Sequence, residues 1–201
     1  MNPKISGIIL AAGLSTRIGE PKQLLPFEGS TIIETVTDNL LGSKLDEVVV
    51  VIGHEAERIR SHIQNKSVKI VFNPDYRLGM LTSAQCGVRS ISDSADAFAL
   101  TLVDQPFITS DLIDLVVDAH AETARGITLP SYDNRRGHPV IFDRRYAADI
   151  LALEPQNGGV RSLFRKYAHD IHYVVVDTDR VLRDIDYRED YLEALKDVVV
   201  R

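Results

Sequence analysis

A three-layer α/β/α fold on a mostly parallel, Rossmann-like sheet is predicted by two features of the chain. Four apolar runs, one of them β-branched throughout, alternate with segments whose apolar residues recur at helical spacing. Each run then stops at a glycine, an Asn-Pro step or a loop containing Pro. Unbroken apolar runs suit parallel strands covered on both faces. Strand–helix alternation of this kind implies right-handed crossovers.

The elements follow in order. Ile5 to Leu10 predicts a buried strand that enters a tight loop at Ala11-Ala12-Gly13. Thr31 to Leu41 carries Ile32, Ile33, Val36, Leu40 and Leu41 as one helical stripe. Val48 to Ile52 is β-branched throughout and stops at Gly53. Glu55 to Gln64 reads as a polar helix with Ile59 and Ile63 on one side, and Val68 to Phe72 as a strand ended by Asn73-Pro74. Met80 to Ile91 predicts a helix, and Ala97 to Val103 a fourth strand followed directly by Asp104-Gln105-Pro106. Leu112, Leu115, Val116 and Ala119 mark the next helix, with Thr109 or Ser110 as its cap.

After Gly126 the rhythm changes. Ile127 to Pro130 and Pro139 to Phe142 read as short strands around the basic turn from Tyr132 to Gly137. Asp143 to Leu153 and Val160 to Tyr167 are helical, separated by Pro155-Gln156-Asn157-Gly158-Gly159. Ile171 to Val176 is a further strand, and Val181 to Ile185 is short and apolar at alternate positions. Glu189 to Val198 closes the chain as a helix. No linker, repeat or low-complexity tract intervenes, so one domain over residues 1–201 is expected.

Composition narrows the function classes. The 201 residues are 44% hydrophobic and 26% charged, ordinary for a soluble enzyme. A net charge of −6 argues against sequence-independent nucleic-acid binding, which needs a basic face. The longest apolar run, Val48 to Ile52, is too short for a membrane span, and the N-terminus lacks a signal-peptide core. A single cysteine, Cys86, forms no intramolecular disulfide, and no Cys/His set has zinc spacing. A cytoplasmic location is expected.

In open α/β sheets ligands bind where strands end and loops begin. The first such loop, Ala11 to Lys22, contains Gly13 and Gly19 for backbone freedom, Ser15 and Thr16 as donors, and Arg17 and Lys22 as cations. Together they suit a polyanion such as a triphosphate. The loop matches neither the P-loop nor the dinucleotide fingerprint. Composition alone leaves a solvated surface loop as an equal alternative. At the fourth strand end Asp104 is placed as a Mg²⁺ ligand beside phosphates, or as a cap of the following turn. Asp184-Ile185-Asp186 puts two carboxylates on one face of an extended segment, or forms a solvated strand end. His54, His62, His169 and His172 read as solvated or structural, and Cys86 as a small core residue.

The segment from Leu10 to Pro26, L-A-A-G-L-S-T-R-I-G-E-P-K-Q-L-L-P, resembles the signature of the MobA-like nucleotidyltransferases. Further marks occur in order: Gly53; Asn73-Pro74 leading to Gly79-Met80-Leu81-Thr82-Ser83; Asp104-Gln105-Pro106; Arg136-Gly137-His138-Pro139-Val140; Gly159-Val160-Arg161; and Asp184-Ile185-Asp186 before Glu189-Asp190. Within that group the chain is most similar to the molybdenum cofactor cytidylyltransferases. The resemblance covers almost the whole chain and implies a fold of the nucleotide-diphospho-sugar transferase type.

The resemblance also implies roles. Leu10, Ala11, Ala12 and Gly13 would contact base and ribose, with Ser15, Gly53 and Ser83 completing the nucleotide site. Arg17 and Lys22 would bind the triphosphate, and Asp104 with Asp186 would hold Mg²⁺. Arg136, Gly137 and His138 would face the pterin acceptor. Residues 1–125 become a nucleotide-binding half, and 126–201 an acceptor-binding half with the closing helix. Ala12 replaces the glycine usual in guanylyltransferase relatives, which favours CTP over GTP. Leu81 stands where relatives often carry a smaller residue, and Ile18 where they carry methionine. The implied reaction moves CMP onto the phosphate of the molybdopterin cofactor, with a molybdoenzyme or its chaperone as recipient. A sugar- or polyol-phosphate acceptor, or a non-catalytic carrier, is the competing expectation.

Overall fold

In the computed structural model, residues 2–199 are described. In chain order the elements are β1 (Ile5–Leu10), β2 (Pro26–Phe27), β3 (Ser30–Thr31), α1 (Ile32–Leu41), β4 (Glu47–Ile52), α2 (Ala56–Ile63), β5 (Lys69–Phe72), α3 (Met80–Val88) and β6 (Ala97–Leu102). There follow α4 (Ser110–Glu122), β7 (Ile127–Tyr132), β8 (Arg135–Arg136), β9 (Val140–Asp143), α5 (Ala147–Leu151), α6 (Arg161–Lys166), β10 (Ile171–Val175) and α7 (Arg188–Val199).

The main sheet runs β10-β7-β9-β6-β1-β4-β5, with β8 paired to β7. β1 is central and parallel to both β4 and β6, as β5 is to β4 and β10 to β7. The four N-terminal strands of the main sheet, β1, β4, β5 and β6, are therefore the parallel set that their apolar runs predict, while β2 and β3 form a separate antiparallel pair. β9 departs from this pattern: it runs antiparallel to both β6 and β7 and joins the second part of the chain to the first.

Side chains alternate across the sheet. Ile5 and Ile9 of β1 pack with buried residues of α1, α2, α4 and α7 on one face. Ile8 and Leu10 pack with α3, α5 and α6 on the other. α1 starts in a capping box, with Thr31 and Glu34 satisfying each other's backbone N–H groups, an arrangement that contributes about 1 kcal/mol.

Some sequence expectations change. Val181 to Ile185 forms no strand: a 3-10 turn over Asp179–Leu182 leads into an extended segment that pairs with no ladder. Its alternation has another cause, because Val181 and Ile185 are buried while the segment crosses the sheet's end. Thr109 occupies the N-cap of α4 without a side-chain capping bond, and Ser110 instead donates to Asn39 O at 2.8 Å. α3 ends at Val88, short of Ile91. Among the described residues no helix is long and apolar enough to cross a membrane.

Candidate active site

The loop after β1 is held from inside by a side chain that the sequence reading did not single out. Gln23 is only 1% exposed. Its Nε2 donates to Ala11 O and Gly13 O, both at 3.0 Å, and its Oε1 accepts from Ser15 Oγ at 3.2 Å. Ser15 Oγ also accepts from Lys22 N at 3.1 Å. These bonds fold the loop back on itself and fix where Lys22 leaves it. Of the two glycines expected to turn the loop, Gly19 adopts a positive φ of 85°, whereas the other positive φ, 54°, falls on Ser15 and not on Gly13. The cue for Gln23 is its place inside the signature, between Lys22 and the apolar Leu24-Leu25.

Lys22 is where distant parts of the chain meet. Its Nζ lies 2.7 Å from Asp104 Oδ2, 3.1 Å from Asp186 Oδ1 and 3.1 Å from Ile185 O. Asp104 follows β6, and its carbonyl accepts from Ile185 N at 2.8 Å, which pins the C-terminal segment across the strand end. Asp190, in the first turn of α7, accepts from the N–H groups of Asp186 and Tyr187 at 3.0 and 2.7 Å. Arg17 Nη1 reaches Asp186 Oδ2 at 2.7 Å. The structure thus brings Arg17, Lys22, Asp104 and Asp186 into one cluster, with side chains 59%, 12%, 18% and 36% exposed.

Burial alone lowers the affinity of Lys22 for its proton, but the charges and hydrogen bonds of Asp104 and Asp186 outweigh it and hold the amine above its usual range. Asp184 takes the opposite environment. Burial first, then the charge of Asp104, pushes its carboxyl up, although Gln105 Nε2 donates to its Oδ1 at 2.5 Å. Asp184 and Asp186 face the same cleft, with Ile185 turned to the core, as the alternation predicts. Only Asp186 shares Lys22 with Asp104.

Asp104 Oδ1 is buried and accepts no hydrogen bond. A buried carboxylate oxygen without a partner is costly, and a hard divalent cation is the ligand such an oxygen suits. Among the described residues no three acidic, His or Cys side chains converge to hold a metal. A cation here would draw its remaining ligands from phosphate and water, the usual habit of Mg²⁺. The donor set therefore fits a metal that arrives with phosphates.

Two adjoining cavities open at the strand ends. The first, of about 550 Å³, is lined by the loop residues Leu10, Ala12, Gly13 and Ser15, by the Lys22–Asp104–Asp186 cluster, and by Ser83 of α3. The buried Asn73 donates to Ser83 Oγ and Thr82 Oγ1, both at 3.0 Å, and so fastens the start of α3 while leaving the Ser83 hydroxyl free to donate. Ala11 is fully buried beneath this wall. Gly53 also lies behind it: a methyl group there would stand 2.6 Å from Tyr76 Cβ and 2.8 Å from Ala12 Cβ.

The second cavity, of about 480 Å³, is lined by Arg136, Gly137, His138 and Leu81 together with Phe142 and Phe164. Arg136 lies over the rings of Phe164 and Tyr173, and its Nε and Nη2 donate to Tyr173 Oη at 3.0 and 2.8 Å. Gly137 allows close approach to Val181, whose carbonyl oxygen would lie 2.6 Å from an added Cβ. Leu10, Met80, Leu102 and Arg161 line both cavities, so neither belongs to one half of the chain alone.

Burial pushes His138 down to about 4, against the pull of the Asp104 charge and with help from Arg161. The folded value lies below the unfolded one of about 6.5. His138 is therefore neutral near pH 7, and the stability linked to its neutral form is lost as pH falls from about 6.5 towards 4. His138→Gln is expected to flatten this part of the acid unfolding curve. Equal acid sensitivity of melting in both proteins between those limits would contradict it.

The model of the MobA-like NTP transferase domain matches residues 7–171. The chain belongs to this family. Three curated relatives are similar to it over most of its length. The molybdenum cofactor cytidylyltransferase of Escherichia coli strain K12 is 29% identical over 192 residues, covering 94% of this chain and 95% of the relative. The nicotine blue oxidoreductase of Paenarthrobacter nicotinovorans is 26% identical, covering 92% and 93%. A probable molybdenum cofactor guanylyltransferase of Bacillus cereus strain Q1 is 28% identical, covering 97% and 98%. Among solved structures, Rv0371c from Mycobacterium tuberculosis H37Rv superposes with a TM-score of 0.85 at 26% identity, covering 98% of this chain and 100% of that one. The same protein in complex with manganese gives a TM-score of 0.79 at 25% identity, covering 96% and 98%. The MobA-like chain is a nucleotidyltransferase with the α/β/α fold of its structural neighbours, as the loop signature implies.

Proposed function

We propose that this MobA-like enzyme transfers CMP from CTP to the terminal phosphate of the molybdopterin cofactor and releases pyrophosphate, as one functional unit over residues 1–201. The observation that carries the reading is the Lys22–Asp104–Asp186 cluster set in a cleft of about 550 Å³ that adjoins a second, more apolar cavity. The relatives named for cytidylyl and guanylyl transfer to the molybdenum cofactor support it. Identity does not separate CTP from GTP, since 29% and 28% are equivalent. The choice of CTP rests on Ala12, whose methyl group narrows the wall of the first cavity.

An oxygen of the acceptor phosphate attacks the α-phosphorus of the nucleotide. The bond from that phosphorus to the bridging oxygen breaks, pyrophosphate leaves with its electron pair, and a phosphoanhydride remains. The attacking oxygen is already ionised at neutral pH, so no general base is required. This agrees with His138, pushed down to about 4 and so a weak base at neutral pH. The chain's task is positioning and charge neutralisation. Leu10, Ala12, Gly13, Ser15 and Ser83 form the nucleotide wall, with Ala11 and Gly53 packed behind it. Lys22 and Arg17 exchange their carboxylate partners for phosphate oxygens. Arg136, Gly137 and His138 bound the acceptor cavity. Mg²⁺, held by Asp104 and Asp186, would neutralise charge on the phosphates. The product passes to a molybdoenzyme or its chaperone.

Thermal melting with CTP, GTP, UTP and ATP in Mg²⁺ tests the nucleotide, because a ligand bound only by the folded state raises its stability. CTP is expected to give the largest shift. Pyrophosphate release on adding molybdopterin tests the acceptor. A largest shift with GTP, release with a sugar or polyol phosphate instead, or binding without release would each replace this reading. Gly53→Ala, which displaces Ala12 or Tyr76 without itself reaching the ligand, is expected to weaken CTP binding about tenfold, or about 1.4 kcal/mol. Calorimetric titration showing unchanged affinity would remove Gly53 from the site.

A further inference from the structure

Among the described residues, Arg161 is the only charged one that lines both cavities. It opens α6 after Gly158, Gly159 and the N-cap Val160, and the φ angles of 83° and 60° at the two glycines turn the chain into that helix. Gly159 O accepts from Ser162 N at 3.0 Å, and Leu163 anchors the turn in the core. The turn is therefore fixed while the Arg161 side chain is exposed.

The other cations around the two cavities are engaged. Lys22 pairs with Asp104 and Asp186, and Arg17 with Asp186. Arg136 binds the Tyr173 hydroxyl, and Arg77 lies over the Tyr76 ring. Among the described residues, Arg161 has no carboxylate, hydroxyl or ring partner. An arginine fork that no protein acceptor satisfies, placed where a donor cavity meets an acceptor cavity, matches the oxygen geometry of a phosphate. His138, the other basic group of the second cavity, is neutral and supplies no charge.

We propose that Arg161 binds the phosphate of the acceptor and holds it at the boundary of the two cavities, facing the α-phosphate of the nucleotide. This rests on the nucleotidyl-transfer reading and assigns a residue to its least specified step. Arg17 and Lys22 then serve the leaving pyrophosphate, and Arg161 serves the nucleophile.

The test uses Arg161→Ala and Arg161→Lys in the full chain. With molybdopterin varied at saturating CTP, Arg161→Ala is expected to lower kcat/KM for the acceptor about 10²–10³-fold. The Kd for CTP with Mn²⁺, measured by calorimetry, is expected to stay within about threefold of wild type. Arg161→Lys is expected to recover part of the acceptor kcat/KM, since it restores charge without the fork. A loss of CTP affinity as large as the acceptor loss would assign Arg161 to the triphosphate and overturn the proposal, as would an unchanged acceptor kcat/KM. A second arm stands without turnover. Inorganic phosphate titrated into the nucleotide-free protein is expected to bind wild type at least about tenfold more tightly than Arg161→Ala; equal binding overturns the proposal. Absence of turnover in the wild type would instead overturn the reaction, and the phosphate arm would still decide Arg161.

Discussion

Lys22→Ala is expected to lower pyrophosphate release by at least about 10²–10³-fold, the usual cost of removing one preorganised group that stabilises developing charge, while the protein stays folded. The fold survives because the loop is held by main-chain and Gln23 contacts that the side-chain amine does not make: Lys22 N still donates to Ser15 Oγ at 3.1 Å, and Leu25 N to Lys22 O at 3.2 Å. Stability nevertheless falls. Asp104 loses the partner of its Oδ2, and its Oδ1 already has none. Breaking a fully buried pair costs about 3–5 kcal/mol. With side chains 12% and 18% exposed, a loss of about 2 kcal/mol is expected. Because the folded Lys22 holds its proton more tightly than the unfolded one, this stabilisation is complete below the unfolded value of about 10.4 and fades only as pH rises through the folded value. The difference between wild type and variant should thus be flat from about pH 6 to 9. Mn²⁺ without nucleotide is expected to raise the melting temperature of the variant more than that of wild type, since it replaces the missing counter-ion. Pyrophosphate release near the wild-type rate would end the assignment of Lys22 to catalysis.

Much of this arrangement was legible in the chain, and the limits have physical causes. β1, β4, β5 and β6 are readable because burial on both faces demands unbroken apolar runs, and the loops at their ends are where α/β sheets bind ligands. The alternation of Asp184, Ile185 and Asp186 correctly puts both carboxylates towards one cleft. Yet the alternation at Val181 to Ile185 does not by itself separate a strand from the extended crossing segment found there, because the two share one side-chain period. Gln23 and Asn73 went unassigned because their importance lies in which backbone and hydroxyl groups they satisfy. Arg161 was visible only as a motif residue. Its significance depends on the meeting of two cavities, built from segments far apart in sequence.

Asp104→Asn is expected to lose as much turnover as Lys22→Ala but less stability. The amide keeps the carboxylate's shape, while Lys22 keeps Asp186 Oδ1 and Ile185 O as acceptors. The decisive measurement is the double variant Lys22→Ala with Asp104→Asn. Removing one partner leaves a charge in a partly desolvated site, whereas removing both removes the charge and its desolvation cost together. Unfolding of the double variant in denaturant, without divalent metal, is therefore expected to fall close to wild type and above Lys22→Ala, with a coupling of about 1–3 kcal/mol. Turnover should behave differently, because groups that act as one unit are not additive in catalysis. The double variant should be no slower than the slower single one. Rate losses that multiply would mean that Lys22 and Asp104 serve separate steps, and stability losses that add would mean that their 2.7 Å contact is not energetically coupled. If both expectations hold, the pair is a resting-state lock on charges that the nucleotide and its metal take over.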